Sequence, residues 1–306
     1  MNPISHVSSV GLAVPDLRQA TAFYRDLWQL DLVTTEGDRA YFGAGTAESH
    51  ILRLRESKTP RIDLVTFSAR SEAGVDDIAE RVGRSSQGQL VLDPTARQDL
   101  GGGYAARFFD CDGRLVEVAA GVAKRGFREV EPGESRPRHI SHVVFNTPDI
   151  QRTRSWYERT LGFKISDWVK DFFCFLRTGQ THHIVAFAQS KHASLNHVSF
   201  ELRGVDEFMR GTGRLMRHGI RPVWGPGRHG AGDNTFSYFR EPTTGYVMEY
   251  TTELQQILDE ATWTPKVWGT SPEETDQWGT SNPFDDEVLA VLHGDPDPGL
   301  WTPSPA

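Results

Sequence analysis

The sequence predicts an α+β protein made of four units, each a strand, a helix and several further strands, arranged as two pairs. Three observations predict it. Residues 8–28 (SSVGLAVPDLRQATAFYRDLW) repeat without a gap at 141–161 (SHVVFNTPDIQRTRSWYERTL), 133 positions on. Pro15-Asp16 falls on Pro148-Asp149, and Leu17, Tyr24 and Trp28 fall on Ile150, Tyr157 and Leu161. A second repeat matches GVDDIAERV (74–82) to GVDEFMRGTGRLM (204–216), each behind an apolar run. Each half then closes on a hairpin-like stretch, 104–120 and 236–252, with Asp-Gly or Thr-Gly at the turn.

Taken in order, residues 8–14 and 141–147 alternate as strands and stop at Pro-Asp. Asp16 and Asp149 are candidate N-caps, because a short acceptor side chain satisfies free N–H groups of a first helical turn. The apolar positions that follow recur at spacings of 7 and 4, which is one helix face. Residues 62–69 and 196–202 are the strands that open the second unit of each half. The polar, proline-containing stretch 123–138 reads as a linker between halves 1–122 and 139–255. After it, residues 256–306 change character, with Trp263, Trp268, Trp278 and Trp301 among Pro, Gly and acidic residues. That tail has too few periodic apolar positions for its own core and is expected to pack over the second half. A short helix is expected around 285–292.

Composition narrows the class. The 306 residues suit about two domains. With 38% hydrophobic and 24% charged residues the chain is an ordinary globular one. No apolar run approaches the roughly 18 residues of a membrane span, and no basic n-region with an apolar core is seen at the N-terminus. Cys111 and Cys174 form no CxxC, which suits a reducing compartment. A cytoplasmic protein is expected, with no membrane partner. The net charge of −8, without a Lys/Arg block, argues against nucleic acid.

Three strand residues stand out: His142 in ISHVVFNTPDI, His197 in LNHVSFEL and Glu249 in GYVMEY. Two histidines and one carboxylate form the ligand set of a non-haem Fe(II) facial triad, which leaves coordination positions open. A single His or Glu in a strand is most often structural, so placement carries the argument. The repeat supplies it. His142 falls on Ser9, His197 on Leu64 and Glu249 on Glu117, so the first half lacks both imidazoles. Within the second half, His142 and His197 open their units at corresponding places, and counting from the hairpin aromatics sets Ala186 opposite Glu249 in the pseudo-symmetry. Three ligands and one alanine leave an open, catalytic type of site rather than a closed structural one.

LNHVSFEL, THHIVAFA and GRHGAGDNTFSYF with GYVMEY resemble segments of the type I extradiol ring-cleavage dioxygenases, such as catechol 2,3-dioxygenase and 2,3-dihydroxybiphenyl dioxygenase, of the vicinal oxygen chelate superfamily. The resemblance covers roughly residues 5–255. It implies four βαβββ modules paired into two glyoxalase-like domains, the first without a metal. It implies Fe(II), or Mn(II), on His142, His197 and Glu249, a catechol and O₂ as small-molecule partners, and a homo-oligomer. The family's H-x-V-A-F histidine matches His183. The spacing to the second metal histidine fits His182 better by one, and strand alternation favours His183. His182 is kept as a substrate-binding candidate. The histidine after Gly-Arg matches His229, and the tyrosine nine residues later matches Tyr238.

The roles implied are oxygen stabilisation and acid/base work for His183, and hydrogen bonds to the substrate oxygens with assistance in O–O cleavage for His229 and Tyr238. The product implied is a ring-opened hydroxymuconic semialdehyde or analogue. Trp168, Phe173, Phe175 and Phe187 are candidate neighbours of a flat apolar ring. Two alternatives stand beside this reading: a glyoxalase- or isomerase-type metalloenzyme of the same superfamily, and a non-catalytic aromatic-binding protein.

Overall fold

Each Pro-Asp step turns a strand into a helix. In the computed structural model, which describes residues 2–302, the Asp16 carboxylate accepts from Gln19 N at 2.8 Å and that of Asp149 from Arg152 N at 2.9 Å. Both satisfy an otherwise free amide of a first turn.

The first half contains β1 (Ile4–Val14), α1 (Leu17–Ala22, prolonged by a π-helical turn at Phe23–Leu27), β2 (Asp31–Glu36), β3 (Arg39–Gly43) and β4 (Leu52–Glu56). It continues with β5 (Arg61–Ala69), α2 (Glu72–Gly83), β6 (Gln89–Ala96), β7 (Tyr104–Phe109) and β8 (Leu115–Ala120). The second half repeats the order: β9 (His139–Thr147), α3 (Ile150–Trp156, with a π-helical turn at Tyr157–Leu161), β10 (Lys164–Val169), β11 (Phe173–Arg177) and β12 (Val185–Gln189). Then come β13 (Ser194–Glu201), α4 (Val205–Arg217), β14 (Pro222–Arg228), β15 (Thr235–Arg240) and β16 (Val247–Thr252). These are the four βαβββ modules. The tail adds β17 (Val267–Trp268), α5 (Pro272–Thr275) and α6 (Asp286–His293), the last with Asp285 as its N-cap.

The modules pair into two mixed sheets, ordered β2-β3-β4-β1-β5-β8-β7-β6 and β14-β15-β16-β13-β9-β12-β11-β10-β17. In each, the first strands of two modules pair antiparallel at the centre, and each central strand takes the last strand of its own module as a parallel neighbour.

The halves share a core. Trp28, at the end of the first module's helix, is fully buried and stacks on Tyr250 of β16 with ring centroids 4.0 Å apart. Tyr250 Oη donates to Trp28 O at 2.9 Å. In the reciprocal contact, Trp156 Nε1 donates to Ser85 Oγ at 2.8 Å and Tyr157 Oη to Asp110 at 2.9 Å. Each helical arm therefore lies on the other half, and one apolar cluster runs through both.

The tail wraps the second sheet. Trp263 Nε1 donates to Ser166 O at 2.9 Å, β17 adds parallel to β10, and α6 lies against β13 and β14. Its end reaches the first half, where Trp301 stacks on Phe109 at 5.7 Å. Among the described residues, no helix is long and apolar enough to cross a membrane.

Candidate functional site

Strand register assembles the triad. His142 on β9 lies opposite Ser199 on β13, and Ser199 lies opposite Glu249 on β16. His197 lies opposite Val144, two residues along β9 from His142. Cross-strand partners share a face, and so do residues two apart. All three side chains therefore converge, with their ligand atoms within 4.8 Å of one another. His142 Nε2 is 3.0 Å and His197 Nε2 3.5 Å from Glu249 Oε2, and the two Nε2 atoms are 3.4 Å apart. Ala186 on β12 lies opposite Val144, the pseudo-symmetric counterpart of Glu249. That position contributes only a methyl group, so this side of the site stays open.

The electrostatics fit a divalent metal. Glu249 is fully buried, and neither carboxylate oxygen has an aligned hydrogen-bond donor. Burial alone raises a carboxyl's pKa. The adjacent His142 and His197 outweigh it and hold Glu249 below the usual range. Burial pushes His197 down to about 3. Its Nδ1 lies 2.7 Å from Asn196 Oδ1, and His142 Nδ1 lies 3.1 Å from Ser141 Oγ. In both ligands the outer nitrogen is engaged and Nε2 faces the cluster. Nitrogen and carboxylate donors with a buried, unneutralised charge are the set that Fe(II) or Mn(II) takes.

The first half shows the contrast at equal positions. Ser9, Thr66 and Glu117 pair as His142, Ser199 and Glu249 do, and Leu64 lies opposite Gly11 as His197 lies opposite Val144. Glu117 is buried too, but Arg97 Nε donates to it at 2.8 Å and Arg107 Nε at 2.7 Å. Arg107 sits opposite Glu117 as Tyr238 sits opposite Glu249. Arg97 N bonds Gly103 O across the loop as His229 N bonds Asn234 O. One half thus neutralises its carboxylate with two guanidinium groups. The other sets a phenol and an imidazole in those places and leaves the charge for a cation.

His183, His229 and Tyr238 all line the cavity beside the triad. The His183 ring is 4.3 Å from that of His142. Burial holds it well below its usual pKa, so it is a neutral imidazole at pH 7. Burial likewise brings His229 down to about 4. Its Nδ1 lies 3.2 Å from Thr275 O and its Nε2 2.9 Å from Tyr238 Oη. A carbonyl can only accept, so Nδ1–H donates to Thr275 and the Tyr238 hydroxyl donates to Nε2. Burial and the charge of Glu249 raise Tyr238 well above a phenol's usual pKa, so it keeps its proton.

His182, the other candidate for substrate contact, sits behind the cavity lining. His182 and His183 are adjacent, just ahead of β12, and their rings touch, but only His183 reaches the cavity. The His182 ring is wholly buried behind the site, with Nδ1 2.9 Å from His183 Nδ1 and Nε2 3.2 Å from Asp167 Oδ2, and it does not line the cavity. Phe173 and Phe175 do line it. Trp168 and Phe187 do not: Trp168 is half-buried against the edge of the core, and Phe187 is buried in it against Phe145 and Tyr157. Sequence reading missed Trp224, Asn196 and the whole wall built by residues 269–293 of the tail. The cavity measures about 640 Å³, and among the described residues neither Lys nor Arg lines it.

The model of the Glyoxalase/Bleomycin resistance protein/Dioxygenase superfamily matches residues 139–250. The crystal structure of a Mn(II)-bound glyoxalase from Novosphingobium aromaticivorans is similar over 99% of this chain and 98% of that one, at 39% identity and a TM-score of 0.92. The chain belongs to this superfamily. Two curated relatives are similar over most of the chain. Metapyrocatechase 2 of Cupriavidus necator is 28% identical over 92% of this chain and 90% of its own length. The manganese-dependent 2,3-dihydroxybiphenyl 1,2-dioxygenase of Geobacillus genomosp. 3 is 25% identical over 87% and 90%.

Proposed function

We propose that this protein opens the ring of a catechol beside its diol, in the extradiol manner, using O₂ and a divalent metal on His142, His197 and Glu249. Fe(II) is the metal proposed, with Mn(II) the alternative. The observation that carries this reading is a three-ligand site whose open side faces His183, His229 and Tyr238 in one cavity. The bound metal supplies coordination positions for the diol oxygens and O₂, and a path for electron density between them.

The chain's own groups handle orientation and protons. A diol hydroxyl entering beside Tyr238 meets a protonated phenol backed by a neutral His229 that can take up a proton at Nε2. Thr275 O fixes which nitrogen of His229 is free. His183, on the His142 side, is a neutral imidazole beside oxygen atoms that gain charge. The apolar wall of Phe173, Phe175 and Trp224 excludes water around the ring. Both atoms of O₂ enter the product, one ring C–C bond breaks, and no external reductant is consumed.

Cavity size and charge support a substrate class. About 640 Å³ falls within the roughly 300–1,000 Å³ of sites that take drug-sized molecules. A catechol with a large apolar substituent suits it better than the bare ring. A carboxylated catechol would meet no Lys or Arg among the described residues and would face Glu274 and Asp276 on the lining. The test is O₂ uptake by metal-loaded protein across neutral, bulky and carboxylated catechols. One O₂ consumed per neutral bulky catechol, with a yellow product, supports the proposal. No uptake on any member of the panel by metal-loaded protein sinks it.

A glyoxalase-type reaction is the second reading, favoured by the description of the 39% identical structure. It would turn over a thiol–aldehyde adduct without O₂. The lack of imidazole at Ser9 and Leu64, which removes the first half from any shared metal site, supports the dioxygenase reading.

A further inference from the structure

We propose that two backbone carbonyls at the end of α6 set the tautomer of the metal ligand His197, through Asn146 and Asn196, so that the C-terminal tail is part of the metal-binding apparatus. Hydrogen-bond chemistry forces each step. The carbonyls of Leu292 and His293 can only accept, and they lie 2.9 and 3.1 Å from Asn146 Nδ2. Ser194 Oγ, which spends its own proton on His293 O at 2.7 Å, accepts from the same amide at 2.8 Å. Turning the Asn146 amide over would set oxygen against those acceptors, so its NH₂ faces α6 and its Oδ1 faces inward. Asn196 Nδ2 then donates to Asn146 Oδ1 at 2.9 Å, which turns Asn196 Oδ1 toward His197. His197 Nδ1, 2.7 Å away, must carry the proton. Its Nε2 is left with a lone pair, aimed at Glu249 and His142.

Asn146, Ser194, Asn196 and His197 are each at most 4% exposed, and the polar atoms of the relay are paired with one another. The opposite tautomer would point an N–H into the triad and block the site. Asn146 and Asn196 are positioning residues: they act on the metal only through His197. Partners of this kind typically change metal affinity 10–100-fold. The proposal needs only the metal triad and not the catechol reaction, so its failure and a failure of ring cleavage are read separately.

Two measurements test it. In ¹⁵N-labelled metal-free protein at neutral pH, long-range ¹H–¹⁵N correlation reports which ring nitrogen of His197 is protonated. Nδ1–H is expected, and Nε2–H overturns the proposal. Mn(II) affinity, read from the free-ion EPR signal, should fall about 10–100-fold in Asn146→Ala and Asn196→Leu. It should return to within a few-fold of the parent in Asn196→Asp, which restores an acceptor at His197 Nδ1. Folded Asn146→Ala and Asn196→Leu proteins that bind Mn(II) within about twofold of the parent overturn it. Should either replacement fail to fold, the tautomer of the parent protein decides.

Discussion

His183 and His182 differ by one position and by everything else. One lies against the metal ligands in the cavity, the other behind it against Asp167. Only the first lines the cavity. Replacing His183 with Gln keeps a polar group of similar reach but removes the imidazole, and none of the triad's hydrogen bonds passes through His183. Metal content should be unchanged, while kcat for O₂ uptake falls by about 10²–10⁴, the usual range for a lost acid/base group. Metal analysis beside steady-state oxygen consumption checks both halves of this. An unchanged kcat would remove His183 from the chemistry.

At the scale of elements, the tail is the largest departure from what the sequence suggested. It reads as a tryptophan-bearing strap, and Trp263 and β17 do tie it to β10. Yet it also supplies Thr275 O to His229, Phe284 to the cavity wall and the α6 carbonyls to Asn146. Backbone carbonyls carry no sequence signature, which is why this was not legible.

The tail also holds a buried carboxyl, Asp297, which no cationic side chain pairs with directly among the described residues. Burial raises it to about 6, with Arg114, the nearby backbone N–H of Leu195 and His192 offsetting only part. The sign is the reverse of the usual aspartate. A folded pKa above the unfolded value of about 3.9 means that this stability is present below pH 3.9 and is lost as pH rises through 6. Asp297→Asn should therefore be more stable than the parent at pH 8, by roughly 1–3 kcal/mol, and equal to it near pH 4. Denaturant melts at the two pH values read the difference. A gain of the same size at both would contradict the assignment.

For the whole molecule, the repeat explains how much could be read in advance. The 133-residue offset is gapless from strand through helix, so the four modules, both Asp caps and the triad were visible. The comparison of Glu249 with Glu117 was visible too, because each follows its turn glycine, Gly245 or Gly113, at the same spacing in the closing strand. The equivalence of His229 and Tyr238 with Arg97 and Arg107 was not. Those residues flank a loop whose length differs between the halves, and only the pairing register aligns them. Nor did the sequence separate Phe175, which faces the cavity, from Phe187, which faces the core.

The shared core is also a property of the whole. Trp28 belongs to the first half by sequence and packs on Phe200, Phe239 and Tyr250 of the second. Trp28→Ala should cost about 3–5 kcal/mol, and calorimetry should show one transition moving down as a unit. Two transitions, with only the first half shifted, would mean that the halves are energetically separate.

The central claim is that O₂ itself is a substrate at the site of His142, His197 and Glu249. Metal-loaded protein given a neutral, bulky catechol under ¹⁸O₂ tests it most directly, with mass spectrometry of the product. The account predicts a ring-opened acid carrying ¹⁸O in its carboxylate, formed by the parent protein and absent with Glu249→Gln. Unlabelled product, or catechol recovered intact from metal-loaded protein that turns over a thiol–aldehyde adduct, would contradict it.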